Sequence, residues 1–156
     1  MGRETLGEFA DLRFTEQTKA IADDLMAAFW REDALVIANS FGCYLFLHAQ
    51  SLLPPFPGRV LLLSPVVGGV TSPKNGIHFS PPMGDHLLAL AAAGDLSVPR
   101  SCEIHVGELD WQCPPALVCR FGEEAGIPVT VVPENRHMLD KRYVSQLLDQ
   151  WLPKMA

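Results

Sequence analysis

The feature that most constrains the fold is the stretch at residues 34–47, which reads A-L-V-I-A-N-S-F-G-C-Y-L-F-L. It opens with the apolar run 34–38, breaks into the polar pair Asn39 and Ser40, and resumes after Gly42 as an apolar helical pattern. A short β-rich run, a polar break and a helical run predict a strand, a sharp turn and an α-helix. Ser40 then lies at the corner, with its hydroxyl lifted off the sheet and the N-terminus of the helix beside it.

This corner has the form of a nucleophile elbow, whose usual pattern is G-x-S-x-G. Ala38 replaces the first glycine, so the chain reads A-N-S-F-G. We expect small residues on both sides of Ser40, at Ala38 and Gly42, because strand and helix pack closely at such a corner. A serine also caps many helices for structural reasons, so the corner alone leaves a catalytic and a structural role open.

Apolar runs alternate with helical patterns along the rest of the chain. The sequence predicts a helix from Thr15 to about Trp30 and buried strands at 34–38, 59–63, 102–106 and 129–132. Further helices are predicted after Ser40, ending before Pro54, and at 85–93, 114–125 and 140–152. Residues 66–84 are predicted to form a long loop or a reduced lid, and residues 1–14 show no convincing period.

Continuous apolar strands that are separated by helices indicate parallel strands covered on both faces. With right-handed crossovers, the order of elements predicts an α/β fold with three layers, α/β/α, around an open and mainly parallel sheet of about four strands. We expect residues 1–156 to form a single domain, because no linker or internal repeat interrupts them.

Charge and composition exclude several classes of function. The formal net charge of −6 and the pI near 5.2 argue against nucleic acid or an anionic membrane as a partner. No apolar stretch is long enough to span a bilayer, and the N-terminus lacks the apolar core of a signal peptide. We expect a cytoplasmic protein with no metal and no cofactor. Its four cysteines form no C-x-x-C pair and are expected to be reduced: Cys43, Cys102, Cys113 and Cys119.

Three side chains with complementary chemistry follow the predicted strands at their carboxyl ends, where such sheets place their sites. Ser40 follows the first strand, Asp110 the third and His137 the fourth. A serine hydroxyl needs a base that works near neutral pH, and a histidine in that role needs a carboxylate to fix its tautomer. Glu108 is an alternative acid. The other histidines have no matched partners and are expected to be structural or exposed: His48, His78, His86 and His105.

These pieces together resemble the carboxyl-terminal core of a small bacterial α/β-hydrolase. The resemblance covers about residues 15–152 and rests on A-N-S-F-G-C-Y-L-F-L-H, R-V-L-L-L-S-P-V-V-G, H-V-G-E-L-D-W-Q-C-P and P-E-N-R-H-M-L. The acid of that family stands in G-x-x-D followed by a proline, which matches Gly107, Asp110 and Pro114. The resemblance implies a serine hydrolase of esterase type in which Ser40 attacks a small ester, His137 moves the proton and Asp110 orients His137.

The chain departs from the family at its beginning. The family has earlier strands, one of which leads into a loop that stabilises the oxyanion, whereas only 33 residues precede the elbow strand here. The backbone N–H of Phe41 is one expected donor to the oxyanion. The second donor comes either from residues 2–10 or from a partner chain, or the protein is a poor enzyme. The alternative function is therefore a catalytically weak hydrolase-fold protein that binds a small ligand or a protein partner.

Two further expectations follow. Phe79, Met83 and Trp111 are candidates for the walls of a substrate pocket, although ordinary packing explains them equally well.

Without an earlier strand, the elbow strand 34–38 lies at the edge of the sheet, and an apolar edge invites pairing with another chain. We therefore expect a homodimer through this edge, unless residues 2–10 fold back across it.

Overall fold

The structure is a computed structural model that describes residues 3–154. Strands and helices alternate along most of the chain. The elements are α1 (Arg3–Ala10), α2 (Phe14–Asp24) with a π-helical continuation (Leu25–Phe29), β1 (Leu35–Asn39), α3 (Phe41–Ser51), β2 (Arg59–Leu63), β3 (Val70–Ser72), a 3-10 turn (Pro73–Asn75), β4 (Ile77–Phe79), α4 (His86–Ala93), β5 (Ser101–Gly107), α5 (Pro115–Ala125), β6 (Val129–Val132) and α6 (Lys141–Trp151).

The main sheet has four parallel strands in the order β1-β2-β5-β6. Because neighbouring strands run in the same direction, Asn39, Leu63 and Gly107 end their strands along one margin of the sheet. Loops that carry the chemistry therefore meet there. The predicted fold class, an α/β fold with a mainly parallel sheet of about four strands, is confirmed.

The two faces of the sheet are covered unequally. Side chains such as Val60, Leu62 and Ile104 point to the face where α2, α3, α4 and α5 form the main core, and they are fully buried. On the opposite face, α6 is held by the Arg59 guanidinium, which lies 4.7 Å from the centroid of the Trp151 ring and donates to the Trp151 carbonyl. Strand alternation sends successive residues to opposite faces, so both layers follow from the apolar runs.

The N-terminal residues differ from their prediction. Residues 3–10 form helix α1, which adds no strand beside β1. Helix α2 begins at Phe14 and not at Thr15, because the Glu16 carboxylate accepts the backbone N–H of Arg13 at 2.9 Å and fixes the first turn one residue earlier. Residues 3–10, the described part of the segment expected to fold back across the elbow strand, are therefore helical and supply no strand that pairs with it. Strand β1 is an edge strand, as expected.

The segment 66–84 also differs from the predicted loop. It contains an antiparallel hairpin in which Val70 pairs with Phe79 and Ser72 with Ile77, closed by the 3-10 turn and by Gly76 in a left-handed conformation with φ 63°. A glycine is favoured at this φ because it has no Cβ to clash.

None of the helices between residues 3 and 154 has both the length and the hydropathy needed to cross a membrane.

Candidate active site

Ser40 occupies a strained corner between β1 and α3. Its backbone has φ 52° and ψ −120°, a conformation that residues other than glycine rarely adopt. The surrounding backbone holds it there: the Ser40 N–H donates to the Leu63 carbonyl at 2.9 Å, and the Ser40 carbonyl accepts the N–H of Cys43 at 3.1 Å and of Val66 at 3.2 Å. Such strain persists only where neighbouring bonds over-determine it.

His137 joins the serine to a carboxylate. Ser40 Oγ lies 2.9 Å from His137 Nε2, and His137 Nδ1 lies 3.0 Å from Asp110 Oδ2 and 3.2 Å from Oδ1. Because a carboxylate accepts, the tautomer that satisfies both contacts has the proton on Nδ1 and a free lone pair on Nε2. That lone pair is directed at the serine hydroxyl, so the row is arranged to take its proton.

The acid side of the row is buried and rigid. The Asp110 side chain has no exposed surface, and its Oδ1 accepts the backbone N–H groups of Gln112 at 2.9 Å and Cys113 at 2.8 Å. These bonds are charge-assisted, and they fix the orientation of the carboxylate group toward His137. Glu108, the alternative acid, is exposed and accepts the backbone N–H of Glu134 at 2.9 Å. The structure therefore brings Asp110 against His137, and not Glu108.

Gly107 explains why the loop that carries His137 lies so close to β5. A Cβ at this position would stand 2.4 Å from the carbonyl oxygens of both Asn135 and Arg136. The same approach is fixed by the Leu109 N–H, which donates to the Asn135 carbonyl at 2.8 Å. Gly42 is different, because a Cβ there would meet nothing within 4 Å. The expectation that close packing requires a small residue at Gly42 is wrong for the residues described.

Ser64, directly after β2, links the loop that carries His137 to the loop that carries Asp110 and Cys113. The sequence did not single it out. It is fully buried and has φ 47°. Its N–H donates to the His105 carbonyl at 2.8 Å, its hydroxyl donates to the His137 carbonyl at 2.8 Å, and its own carbonyl accepts the Cys113 thiol at 3.2 Å. The only signal in the sequence is the Ser-Pro pair that follows an apolar strand.

Asp110, Cys113 and His137 also lie close enough to suggest a metal site, since their ligand atoms are all within 4.8 Å of one another. Burial, with the Asp110 charge as a second cause, raises the pKa of the Cys113 thiol far above its usual range, which disfavours the thiolate. A metal ligand has to be a thiolate. Because the thiol donates to Ser64 and Asp110 already accepts three N–H groups, hydrogen bonds account for the cluster.

A cavity of about 460 Å³ opens beside Ser40 and His137. Phe79 and Trp111 line it, whereas Met83 does not: Met83 has φ 66°, is 51% exposed and follows Pro82 at the rim. The remaining lining residues were not proposed from the sequence, because most belong to the unpredicted hairpin or follow a strand end: Val66, Val70, Ile77, Pro82, Gln112 and Cys113.

The backbone N–H of Phe41 lies at the N-terminus of α3. Phe41 lines the cavity and is the first residue of α3, so its N–H has no partner within the helix. Beyond β1 the sheet has no further strand within residues 3–154, so this edge of the sheet is open. The local field at this helix terminus also favours negative charge.

The other histidines lie outside this row. His48 is buried against Tyr44 and stacks on His86, and burial followed by the neighbouring His86 charge lowers its pKa to about 4. His105 does have partners, contrary to expectation: its Nδ1 lies 2.6 Å from the Tyr143 hydroxyl and its Nε2 3.2 Å from Glu103. These contacts help to fix α6 on the sheet.

The fold defined by these elements is that of an α/β-hydrolase. Solved structures similar to this chain include a serine hydrolase described as lacking a lid, from Xanthomonas campestris (20% identity, TM-score 0.56, 90% of this chain and 57% of that one). Another is a predicted hydrolase from Thermoplasma acidophilum (16% identity, TM-score 0.59, 89% of this chain and 59% of that one). A third is a monoacylglycerol lipase from Paleococcus ferrophilus (14% identity, TM-score 0.62, 90% of this chain and 75% of that one).

The chain thus spans less than two thirds of the length of the first two of these structures. No family model matches the sequence, and no curated protein matches it. At these identities the likeness shows the fold alone, and the resemblance to α/β-hydrolases that the motifs suggested is confirmed at that level.

Proposed function

We propose that this chain is a serine hydrolase that cleaves small esters or related acyl compounds through an acyl-enzyme. The observation that carries the proposal is the continuous row from Ser40 through His137 to Asp110 at the strained corner of the sheet. A serine hydroxyl is a weak nucleophile at neutral pH, and an oriented imidazole that accepts its proton removes this difficulty.

The reaction has two halves. Ser40 Oγ attacks the carbonyl carbon while His137 Nε2 takes the hydroxyl proton, and the Phe41 N–H donates to the oxygen that becomes negative. His137 then gives the proton to the leaving alcohol as the ester C–O bond breaks, which leaves the acyl group on Ser40. Water attacks this acyl group and passes a proton to His137, which returns the proton to Ser40 Oγ as the acyl–oxygen bond breaks and the acid is released. Asp110 stays ionised throughout and stabilises the imidazolium.

The proposed reaction requires no cofactor. We place the reaction in the cytoplasm, a proposal supported by the four cysteines, which are all free thiols. The substrate is a small molecule that enters the cavity beside Ser40, with Phe79 and Trp111 among its walls.

A fluorophosphonate probe tests the proposal, because it reacts with activated serines and requires no knowledge of the substrate. We expect a single adduct, located by peptide mass spectrometry at Ser40. The variant Ser40→Ala should lose it, while the matched variant Ser145→Ala on α6 should keep it. Labelling that is unchanged in Ser40→Ala would exclude Ser40 as the nucleophile.

The second candidate function is a hydrolase-fold protein of weak catalytic power that binds a small ligand or a protein. The open edge of β1 favours it, because loss of one oxyanion donor costs about 10²- to 10³-fold in rate. An unlabelled wild-type protein that nevertheless binds apolar ligands in the cavity would favour this function over the first.

A second copy of the chain is our proposed source of the missing donor. Ile37, at the middle of β1, is 47% exposed, and the strand offers unpaired backbone groups along its free side. A two-fold axis through this edge pairs the two β1 strands antiparallel, so the start of one strand lies beside Ser40 of the other copy. Light scattering from micromolar to millimolar protein tests this assembly. A monomer mass at every concentration would exclude it.

A further inference from the structure

The hairpin β3–β4 has two chemically different faces. Strand alternation places Val70, Ile77 and Phe79 on the face that lines the cavity beside Ser40. The cross-strand pair Thr71 and His78 belongs to the opposite, exposed face, where Thr71 Oγ1 lies 3.0 Å from His78 Nδ1. The apolar face of the hairpin is therefore turned toward the nucleophile.

The base of the hairpin is fixed to the helix that follows the nucleophile. The Tyr44 hydroxyl, on α3, lies 2.6 Å from the Pro82 carbonyl and 2.9 Å from the Gly84 carbonyl, and these two oxygens share its single proton. Burial, with the Asp85 charge as a second cause, raises the pKa of Tyr44 to about 12, so it remains a donor. Directly before β3, the Gly69 N–H donates to Asp85 Oδ1 at 2.8 Å. Contacts on both sides of the hairpin thus hold it to the segment 82–85 and to α3.

The walls of this cavity suit an apolar group. Its polar lining lies at the end near the serine, from Ser40, Gln112 and His137, whereas hairpin residues and Trp111 supply apolar surface. Among the residues the structure describes, no lysine, arginine, aspartate or glutamate lines the cavity. A charged group there would lose its hydration without gaining a partner, which is costly. Each buried methylene instead strengthens binding about fourfold.

A second cavity near His137 separates the expected positions of the acyl and alcohol halves of an ester. This cavity, of about 440 Å³, also touches His137 but not Ser40, and its walls include Met138, Leu139 and Leu148. The acyl group stays bonded to Ser40, so it belongs in the cavity that contains Ser40 and the Phe41 N–H. The leaving group receives its proton from His137, which also lines the second cavity, so that cavity has room for the alcohol half of the ester.

We propose that the β3–β4 hairpin selects the substrate by its acyl group: the enzyme takes neutral esters with an apolar acyl chain of medium length and discriminates against acetyl and charged acyl groups. The inference rests on the proposed serine hydrolase function and names its substrate class. The acyl chain packs against Val70, Ile77 and Phe79, which become specificity-determining residues. A cavity of about 460 Å³ lies in the range of small-molecule sites, about 300–1,000 Å³.

The first test is a series of p-nitrophenyl esters, from acetyl through butyryl and hexanoyl to octanoyl, with the succinyl ester as the charged member. We expect kcat/KM to rise about fourfold per methylene up to hexanoyl and to fall at least tenfold on replacing butyryl with succinyl. A parallel series of alkyl acetates varies the alcohol and should show a weaker dependence on length.

The second test changes the hairpin. In the double variant Ile77→Ala with Phe79→Ala, kcat/KM for the hexanoyl ester should fall about tenfold more than kcat/KM for the acetyl ester. The matched control Thr71→Ala with His78→Ala alters the exposed face and should keep the wild-type ratio. The rate of fluorophosphonate labelling and the melting temperature, measured on every variant, separate a change in selectivity from a loss of structure.

Three outcomes would overturn this inference while leaving Ser40 labelled: no dependence on acyl length, equal loss for all esters in the Ile77/Phe79 variant, or a length dependence carried by the alcohol series. An unlabelled wild-type protein is a different result, because it overturns the serine hydrolase function together with the inference that depends on it.

Discussion

The substitution Gly107→Ala tests whether the position of His137 controls the rate. The new Cβ would stand 2.4 Å from the carbonyl oxygens of Asn135 and Arg136, whereas ordinary contacts begin at 3.4 Å. Both oxygens belong to the backbone directly before His137, so the loop has to retreat by about 1 Å. The contact of 2.9 Å between Ser40 and His137 then lengthens beyond hydrogen-bonding distance.

The expected losses of rate and of stability follow from a displacement of this size. Misplacing a catalytic group by about 1 Å costs about 10²-fold in rate, and overpacking costs about 1–3 kcal/mol of stability. We expect kcat for p-nitrophenyl butyrate to fall by about two decades in Gly107→Ala, with a parallel loss in fluorophosphonate labelling. The protein should remain folded, as judged by circular dichroism and thermal melting.

The matched control is Gly42→Ala, two residues after Ser40. A Cβ there meets nothing within 4 Å, and alanine stabilises a helix by about 0.5–1 kcal/mol relative to glycine. We expect its kcat to stay within about threefold of wild type. If Gly107→Ala also retains wild-type kcat while its melting temperature drops, the loop yields without moving His137 and the argument from geometry is refuted.

Four further substitutions separate the roles of neighbouring groups. Asp110→Asn should lower kcat by about four decades, whereas Glu108→Gln should leave it near wild type; the reverse order in steady-state assays would reassign the acid. Ser64→Gly keeps the left-handed backbone but removes the hydroxyl that holds the His137 carbonyl, so kcat should fall about tenfold at constant KM; an effect on KM alone would refute a positioning role. His48 has a pKa of about 4 when folded and an ordinary value of 6.5, so the unfolded chain binds the proton first and stability falls as pH drops from 6.5 to 4, by up to about 3 kcal/mol. Urea unfolding of wild type and His48→Phe at pH 7 and pH 5 measures this; equal pH dependence in both proteins would exclude His48 as its source.

The parts of the fold that the sequence predicts are those with long, uninterrupted patterns. Strand β1 was expected at 34–38 and is found at Leu35–Asn39, and β6 matches its predicted range of 129–132. Both are mainly apolar runs that are rich in β-branched residues, which favours strands, although β1 and β6 lie at the two edges of the sheet and are only partly buried. The placement of Ser40, Asp110 and His137 at one margin follows from the parallel order alone.

The parts that the sequence misses depend on tertiary contacts. Strands β3 and β4 are three residues each, too short for a period of two to stand out, and they are stabilised by pairing and by the Tyr44 hydroxyl. Ser64 acts through its left-handed backbone and through bonds with main-chain carbonyls, and neither the backbone conformation nor the partner of a buried hydroxyl can be read from the sequence. Helix α1 is a short helix whose pattern is broken by glycine.

The separation of the site residues along the chain has a consequence for folding. Ser40 and His137 are 97 residues apart, and Asp110 lies 27 residues before His137, so the row forms only when distant segments have come together. Bringing such segments together costs loop-closure entropy before any contact repays it, which makes parallel sheets slow to assemble. Local helices such as α3 can form early, whereas the nucleophile remains without its base until the last strand and its loop dock. Reactivity of Ser40 is therefore a reporter of the completed fold, and during refolding it appears later than the helical signal.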